Sequence, residues 1–77
     1  MSRQEILTAL REGSSGQNVR LVQFWLKIAR TVYTSLANVT VDGKFGAGTA
    51  AAVQRFQRRN GLTADGVVGE GTWEKMF

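Results

Sequence analysis

A nine-residue pattern occurs twice in this chain, and it constrains the fold more than any other feature of the sequence. Residues 41–49 align with residues 64–72, so that Asp42 matches Asp65, and both copies read Asp-Gly-x-[Phe/Val]-Gly-x-Gly-Thr. The segments before the copies also match, as Val-x-x-Val-Gln over 19–23 and Val-x-x-Phe-Gln over 53–57. Such self-similarity is typical of one supersecondary unit used more than once. The sequence therefore predicts two copies of a helix, an Asp-Gly turn and the start of another helix.

The residue types of the pattern suit a tight turn that leads into a helix. An aspartate side chain can accept hydrogen bonds from the backbone that follows it, and glycine adopts positive φ without a steric clash. No alternating strand follows either copy, so a β-hairpin is not favoured. We expect the threonine of each copy to satisfy free N–H groups in the first helical turn. The predicted structural turn residues are Asp42, Gly43, Asp65, Gly66, Gly69 and Thr72.

Helical periodicity predicts a helix from Gln17 to about Arg30 with apolar residues on two faces. The first face holds Val19, Val22, Trp25, Leu26 and Ala29, and the roughly opposite face holds Leu21, Phe24 and Ile28. A helix that is apolar on two sides is expected to be buried on both. A short N-terminal helix over 3–10, with Ile6, Leu7 and Leu10, is the expected cover for the second face. A partner surface or a dimer contact is the alternative.

A further helix is predicted from about Ala47 to Asn60, with Asn60-Gly61 as its stop signal. Its core-facing residues are Ala52, Val53 and Phe56, and its outward residues are Arg55, Arg58 and Arg59. A last short helix holds Trp73, Met76 and Phe77, and residues 31–41 form a long connection with a short extended end. The predicted fold is all-α, a single domain over 1–77. It is a small three-helix bundle of two related helix-turn units, plus the short N-terminal helix.

The composition argues against catalysis and against metal binding. The 77 residues include no cysteine and no histidine, so the usual general base and the commonest metal ligands are missing. Asp42 and Asp65 form an acid–base pair only in principle, because their equivalent places in two repeats favour a role in turn architecture. We therefore predict no catalytic residue, no metal site and no cofactor. A formal net charge of +4 favours anionic partners: nucleic acid, acidic wall polymers or anionic lipid.

No apolar run approaches the roughly 18 residues that span a bilayer, and no apolar signal-type segment follows Met1. Export, where it occurs, is expected to be directed by sequence outside this chain.

Three stretches of the chain resemble the peptidoglycan-binding domain family. They are Leu10–Val19 with Val22-Gln23 and Leu26, Val41–Gly46 with Thr49 and Phe56-Gln57, and Asp65–Gly69 with Thr72-Trp73. The resemblance implies a three-helix module found beside cell-wall hydrolases and in phage endolysins. The chain departs from the family pattern in two ways. Ala47 and Glu70 stand where the family commonly has proline, and the connection over 31–40 is longer than usual.

The resemblance implies noncovalent binding to peptidoglycan, through its glycan strand or its stem peptide, with an anionic wall polymer as a further partner. It implies a monomer that works outside the cytoplasm at the cell wall and holds an attached hydrolase there. The candidate ligand-binding residues are Phe45, Gly46, Thr49 and Gln57, followed by Trp73, Gln23 and Arg20. For Phe45 and Trp73 the alternative is core packing. For the two glutamines it is buried hydrogen bonding to the backbone.

Two other functions fit the sequence. Arg55, Arg58 and Arg59 share a helical face and would suit a nucleic-acid backbone, but no groove-reading motif accompanies them. The apolar face formed by Leu21, Phe24 and Ile28 would suit a protein–protein interaction module.

Overall fold

The computed structural model describes residues 9–29 and 39–77, and these residues form three α-helices. Helix α1 is Gln17–Ala29, α2 is Ala47–Arg59 and α3 is Glu70–Met76. The described residues contain no strand, only isolated antiparallel bridges between Leu10 and Val68 and between Ser15 and Lys44. The predicted all-α class and three-helix arrangement are therefore confirmed. None of the helices in these two ranges has the length and apolar character needed to cross a membrane.

The core lies between the inward faces of α1 and α2. Val19, Val22 and Leu26 of α1 are completely buried. The Phe56 side chain of α2 is 2% exposed, and its ring meets that of the half-buried Trp25 edge-on, with centroids 4.9 Å apart. Burial of each such aliphatic or aromatic side chain stabilises the fold by about 1.5–3 kcal/mol. The period of apolar residues read from the sequence therefore identifies the two faces that close the core.

Helix α2 ends in a hydrogen-bonded pattern that glycine makes possible. The N–H of Leu62 donates to the carbonyl of Gln57 (2.8 Å), and the N–H of Gly61 donates to that of Arg58 (3.3 Å). This pair of bonds is the Schellman motif, which requires the residue after the C-cap to adopt a left-handed conformation. Gly61 has φ 69°, and Asn60 is the C-cap, as the Asn-Gly stop signal predicts.

The segment before α1 is hydrogen-bonded to both turns of the repeat. Leu10 and Val68 exchange backbone hydrogen bonds of 3.1 and 2.8 Å, and Phe45 receives a bond from Gly13 and donates one to Ser14. Leu10 was predicted to end an N-terminal helix, and this is wrong. Its N–H and carbonyl groups are both bonded to Val68, a residue distant in sequence, and so are not part of a helical ladder. Residues 3–8 of that helix lie outside the described residues, as do Arg30, the predicted end of α1, and residues 31–38 of the connection.

The second apolar face of α1 is exposed. Leu21, Phe24 and Ile28 retain 40%, 56% and 54% of their accessible surface, so the prediction that this chain itself buries both sides of the helix is wrong. The alternative, a partner surface or a dimer contact, stays a prediction. Leu10, which was expected to help cover this face, is instead a buried member of the core cluster. The other two expected covering residues, Ile6 and Leu7, lie outside the described residues.

Two smaller features concern side chains at the ends of elements. The Ser14 hydroxyl accepts a bond from the N–H of Arg11 (3.1 Å) within the turn before α1. Phe77 lies just beyond α3 rather than within it, is 59% exposed, and places its ring 5.2 Å from that of Trp73.

Candidate functional site

The first Asp-Gly turn is built around the side-chain amide of Gln23. This side chain is 1% exposed. Its Oε1 accepts bonds from the N–H groups of Asp42 (3.1 Å) and Gly43 (2.9 Å). Its Nε2 donates to Asp42 Oδ1 (3.0 Å), the Lys44 carbonyl (2.8 Å) and the Thr49 hydroxyl (3.1 Å). A primary amide has two N–H protons and two lone pairs, so the turn engages the full bonding capacity of this side chain.

The second turn repeats this arrangement around Gln57, which is also 1% exposed. Its Oε1 accepts a bond from the N–H of Gly66 (3.0 Å). Its Nε2 donates to Asp65 Oδ1 (3.1 Å), the Val67 carbonyl (2.9 Å) and the Thr72 hydroxyl (3.1 Å). Of the two roles considered for the glutamines, buried hydrogen bonding within the turn is the one that the structure shows.

The threonine hydroxyls act differently from the sequence-based expectation. The N-cap residues of α2 and α3 are Gly46 and Gly69, which have no side chain to contribute. Thr49 and Thr72 instead accept hydrogen bonds from the glutamine of the preceding helix. These hydroxyls were predicted to cap free N–H groups, but each connects one helix to the next instead.

The two aspartates of the turns are held in their ionised form. The N–H of Lys44 donates to Asp42 Oδ1 (2.9 Å), and this bond, followed by that from Gln23, lowers the Asp42 pKa. The pKa of Asp65 is lowered chiefly by the N–H of Val67 (2.9 Å), with a further contribution from Gln57. Hydrogen bonds that reach the charged form of a carboxyl stabilise that form. Each carboxylate therefore caps its own turn, and neither is suited to donate a proton near neutral pH.

Each turn forms one wall of an open cleft. The first cleft, of about 210 Å³, is lined by Gln23, Val39, Thr40, Asp42, Lys44, Gly46, Gly48 and Thr49. The second, of about 220 Å³, is lined by Gln57, Leu62, Thr63, Asp65, Val67, Gly69, Gly71 and Thr72. Apart from the glutamines, every residue of the first cleft has its counterpart 23 positions later in the second. The repeat in the sequence is therefore a repeat of surface shape as well as of turn geometry.

The structure brings together three of the predicted ligand-binding residues in the first cleft: Gln23, Gly46 and Thr49. Gln57 lies in the second cleft. Arg20 lines an adjoining cleft of about 350 Å³ that shares Asp42 and Lys44 with the first.

Two other predicted ligand-binding residues belong to the core. Phe45 and Trp73 are 2% and 5% exposed, and the Trp73 indole N–H is buried with no acceptor among the described residues. Neither residue lines the first, the second or the adjoining cleft, which agrees with the core-packing alternative rather than with direct ligand contact.

Thr40, Lys44 and Gly48 line the first cleft but were not identified from the sequence as ligand residues. A signal for one of them was present, because Thr40 and Thr63 extend the repeat by one shared residue. The arginines considered for nucleic-acid binding, Arg55, Arg58 and Arg59, are exposed on α2 and line neither cleft.

Comparison with known proteins identifies the fold family. Residues 15–76 match the family model described as "Putative peptidoglycan binding domain". The chain is 47% identical over 68 residues to the zinc D-Ala-D-Ala carboxypeptidase of Streptomyces albus G, covering 88% of this chain and 26% of that enzyme.

Solved structures agree with the sequence matches. A peptidoglycan-binding protein from Clostridioides difficile, solved in complex with glutamine hydroxamate, superimposes with a TM-score of 0.81 at 37% identity, covering 92% of this chain and 41% of that one. The Burkholderia AP3 phage endolysin gives a TM-score of 0.75 at 33% identity, with 90% and 24% covered. The chain thus spans less than half the length of each of these three proteins.

The family model covers most of the chain, including both Asp-Gly turns and all three described helices. Its members occur in cell-wall hydrolases, which agrees with the carboxypeptidase and endolysin matches. This chain therefore belongs to the peptidoglycan-binding domain family.

Proposed function

We propose that this domain binds peptidoglycan noncovalently in the first cleft, holds an attached cell-wall hydrolase on its substrate, and has no catalytic activity of its own. The observation that carries the proposal is the first cleft itself, whose polar wall is fixed by the fully bonded Gln23 side chain. A cleft that is already ordered loses little conformational entropy when a ligand enters. The hydroxyl, carboxylate and ammonium groups that line it suit the hydroxyls, amides and carboxylates of the wall polymer.

The Thr49 hydroxyl is the lead ligand-binding group in this proposal. Its oxygen accepts a hydrogen bond from Gln23 Nε2, so the hydroxyl can donate a hydrogen bond of its own to an acceptor in the cleft. The side chain is only 5% exposed, which confines that contact to a ligand that enters the cleft. Gly46 and Gly48 lack side chains and leave room for such a ligand beside Thr49.

The chemistry of the side chains does not suit catalysis. The sequence contains no histidine and no cysteine. The pKa values of Asp42 and Asp65 are lowered, whereas a carboxyl that acts as a general acid near neutral pH needs a raised pKa. We therefore assign any hydrolytic step to a neighbouring domain of the parent protein.

Anchoring is useful even when each contact is weak. Peptidoglycan presents the same chemical unit many times, and a tethered enzyme gains from the raised local concentration of its substrate. The proposal places this domain outside the cytoplasm, at the wall, as a monomer. The matches to a wall carboxypeptidase and a phage endolysin support the association with hydrolases.

A sedimentation assay with purified insoluble peptidoglycan, with and without its teichoic acid removed, tests the binding. We expect the domain to sediment with both preparations. Retention only while teichoic acid is present would assign the ligand to that anionic polymer instead, and failure to sediment with either would overturn the proposal.

The position of the site is tested with the matched pair Thr49→Val and Thr72→Val. Each variant removes one hydroxyl that accepts a glutamine hydrogen bond of 3.1 Å, so the two should lose similar stability. Only Thr49→Val should weaken retention on peptidoglycan, by roughly 2- to 10-fold for one lost hydrogen bond. Wild-type binding by a folded Thr49→Val variant would show that the ligand lies elsewhere. Gln57 is unsuitable for this test because its truncation would break the second turn.

A further inference from the structure

We propose that Arg20 and Lys44 make the first cleft, together with the cleft that adjoins it, selective for a carboxylate group of the stem peptide. This inference rests on the proposed peptidoglycan binding and adds the chemical class of the group that the site takes. The two halves of the molecule share one turn geometry but differ in the charges placed around it.

Arg20 and Gln54 occupy equivalent places in the two halves. Each stands three residues before the buried glutamine of its turn. Each side chain also lies against the turn glycine. A Cβ on Gly43 would meet Arg20 Nε at 3.1 Å, and a Cβ on Gly66 would meet Gln54 Nε2 at 3.5 Å. Because Gly43 and Gly66 have no side chain, one long side chain can lie over each turn. In the first half that side chain carries a guanidinium, and in the second half it carries a neutral amide.

Lys44 and Val67 form the second matched pair. Their backbone carbonyls accept bonds of 2.8 and 2.9 Å from the glutamines, and their N–H groups each donate to the turn aspartate. Because the backbone geometry is shared, the two halves differ here only in the side chain. Lys44 is exposed and adds an ammonium group to the rim, whereas Val67 adds an apolar surface.

Each half has one turn aspartate, so the difference in net charge between the halves comes from the pairs Arg20/Gln54 and Lys44/Val67. Around the first turn, Arg20 and Lys44 outnumber Asp42, which leaves a surplus of a single positive charge. The second cleft has Asp65 but no lysine or arginine in its lining. Arg11 acts electrostatically on Asp65 and lowers its pKa, so the second turn is close to neutral, whereas the first turn keeps a surplus positive charge. Glu70, where the first half has Ala47, makes the sequence around the second turn more negative still.

A single surplus charge suits one carboxylate. Arginine presents a planar set of donors that matches the two oxygens of a carboxylate, and charge-assisted bonds of this kind are roughly twice as strong as neutral ones. Within peptidoglycan, the free carboxylates belong to the stem peptide, so the surplus positive charge points to the stem peptide rather than to the glycan strand. The phosphates of teichoic acid carry the same charge, and the experiment therefore compares the two anions directly.

The experiment is a titration followed by ¹H–¹⁵N NMR, with soluble muropeptides as the probes. One probe carries its terminal stem-peptide carboxylate free, and the other carries the same group amidated. The amide signals of Gly43 and Gly66 serve as matched reporters, because each N–H donates to a glutamine Oε1, at 2.9 and 3.0 Å. We expect Gly43 to report about tenfold tighter binding of the free carboxylate, as befits a charge-assisted contact. Equal affinity for the two probes at Gly43 would overturn the proposal.

Two exchange variants separate this inference from the proposed function. Arg20→Gln with Lys44→Val gives the first half the side chains of the second, and should abolish the preference for the free carboxylate. Gln54→Arg with Val67→Lys is the reverse exchange, and should leave the Gly43 titration unchanged.

A preference that persists in the first variant, or tighter binding of a glycerol phosphate oligomer than of the carboxylate probe, would overturn carboxylate selection. Either of these outcomes would leave the proposed function intact, provided that the wild-type domain sediments with peptidoglycan. If the wild-type domain does not sediment with peptidoglycan, the proposed function itself is overturned.

Discussion

Gln23 of α1 donates a hydrogen bond of 3.1 Å to the hydroxyl of Thr49 in α2, across 26 positions of the sequence. The same relationship, at the same distance, connects Gln57 of α2 to Thr72 of α3. Each helix is therefore tied to the next by a buried amide that also holds the turn between them. Buried polar networks of this kind are stabilising when every member is satisfied and costly when one is removed.

Replacement of Gln23 by leucine should destabilise the fold strongly. Leucine is similar in size, but it would leave the N–H of Gly43, the carbonyl of Lys44 and the Thr49 hydroxyl without the amide that they bond. Each buried polar group left unsatisfied costs about 1–3 kcal/mol, so the free energy of unfolding should fall by roughly 3 kcal/mol or more. Urea denaturation followed by circular dichroism measures it.

Gln17→Leu, at an exposed position of the same helix, is the control for that experiment. It should change the free energy of unfolding by no more than about 0.5 kcal/mol. If the two variants were equally stable, the buried amide would not hold the turn.

The two glycines of the first turn region should respond in opposite directions to alanine. Gly43 has φ 77°, and a Cβ there would also press on the Arg20 side chain at 3.1 Å, so Gly43→Ala should cost about 1–2 kcal/mol. Gly48 lies within α2 and a Cβ there would meet nothing within 4 Å, so Gly48→Ala should stabilise the protein by up to about 1 kcal/mol. Thermal unfolding of the two variants measures the difference, and a shift of the same sign in both would contradict the turn geometry.

Replacement of a buried and of an exposed phenylalanine by alanine should have very different effects on stability. Phe56 is 2% exposed against the core and Phe24 is 56% exposed on α1. Phe56→Ala should lower the free energy of unfolding by about 3–5 kcal/mol, whereas Phe24→Ala should change it by only about 0.5 kcal/mol. Chemical denaturation of both variants decides the matter. A loss at Phe24 comparable to that at Phe56 would show that its face is covered in solution.

Local patterns in the sequence were sufficient to predict the helices and the turns. Periodicity placed α1 and α2 within a residue of their ends, since the buried positions recur every three or four residues. The end of α2 at Asn60-Gly61 was also predictable, because the left-handed conformation that follows many helices favours glycine. These features depend on residues that are close in sequence.

Contacts between distant residues were not predictable in the same way. The pairing of Leu10 with Val68 depends on how the two halves pack, and nothing near Leu10 in the sequence signals it. The choice between a buried and a ligand-binding glutamine likewise depended on groups contributed by the following turn. The repeat did imply that two clefts would resemble each other, but their linings became visible only from the packed turns.

Acid should destabilise this domain through its two turn aspartates. Hydrogen bonds from the backbone hold the pKa values of Asp42 and Asp65 below the ordinary value of 3.8. The unfolded chain therefore takes up these protons first as the pH falls, so the stabilisation is complete above pH 3.8 and is lost as the pH drops from there through the lower folded-state values. Melting temperatures measured from about pH 5 to about pH 2 should fall for the wild-type domain. The variant with both Asp42→Asn and Asp65→Asn keeps an oxygen acceptor in each turn but cannot titrate, so its melting temperature should fall less over this range.

Glu74→Gln, which removes an exposed carboxylate from α3, is the control and should retain the wild-type dependence of melting temperature on pH. An acid transition that is as steep in the double variant as in the wild type would mean that other carboxyl groups govern it.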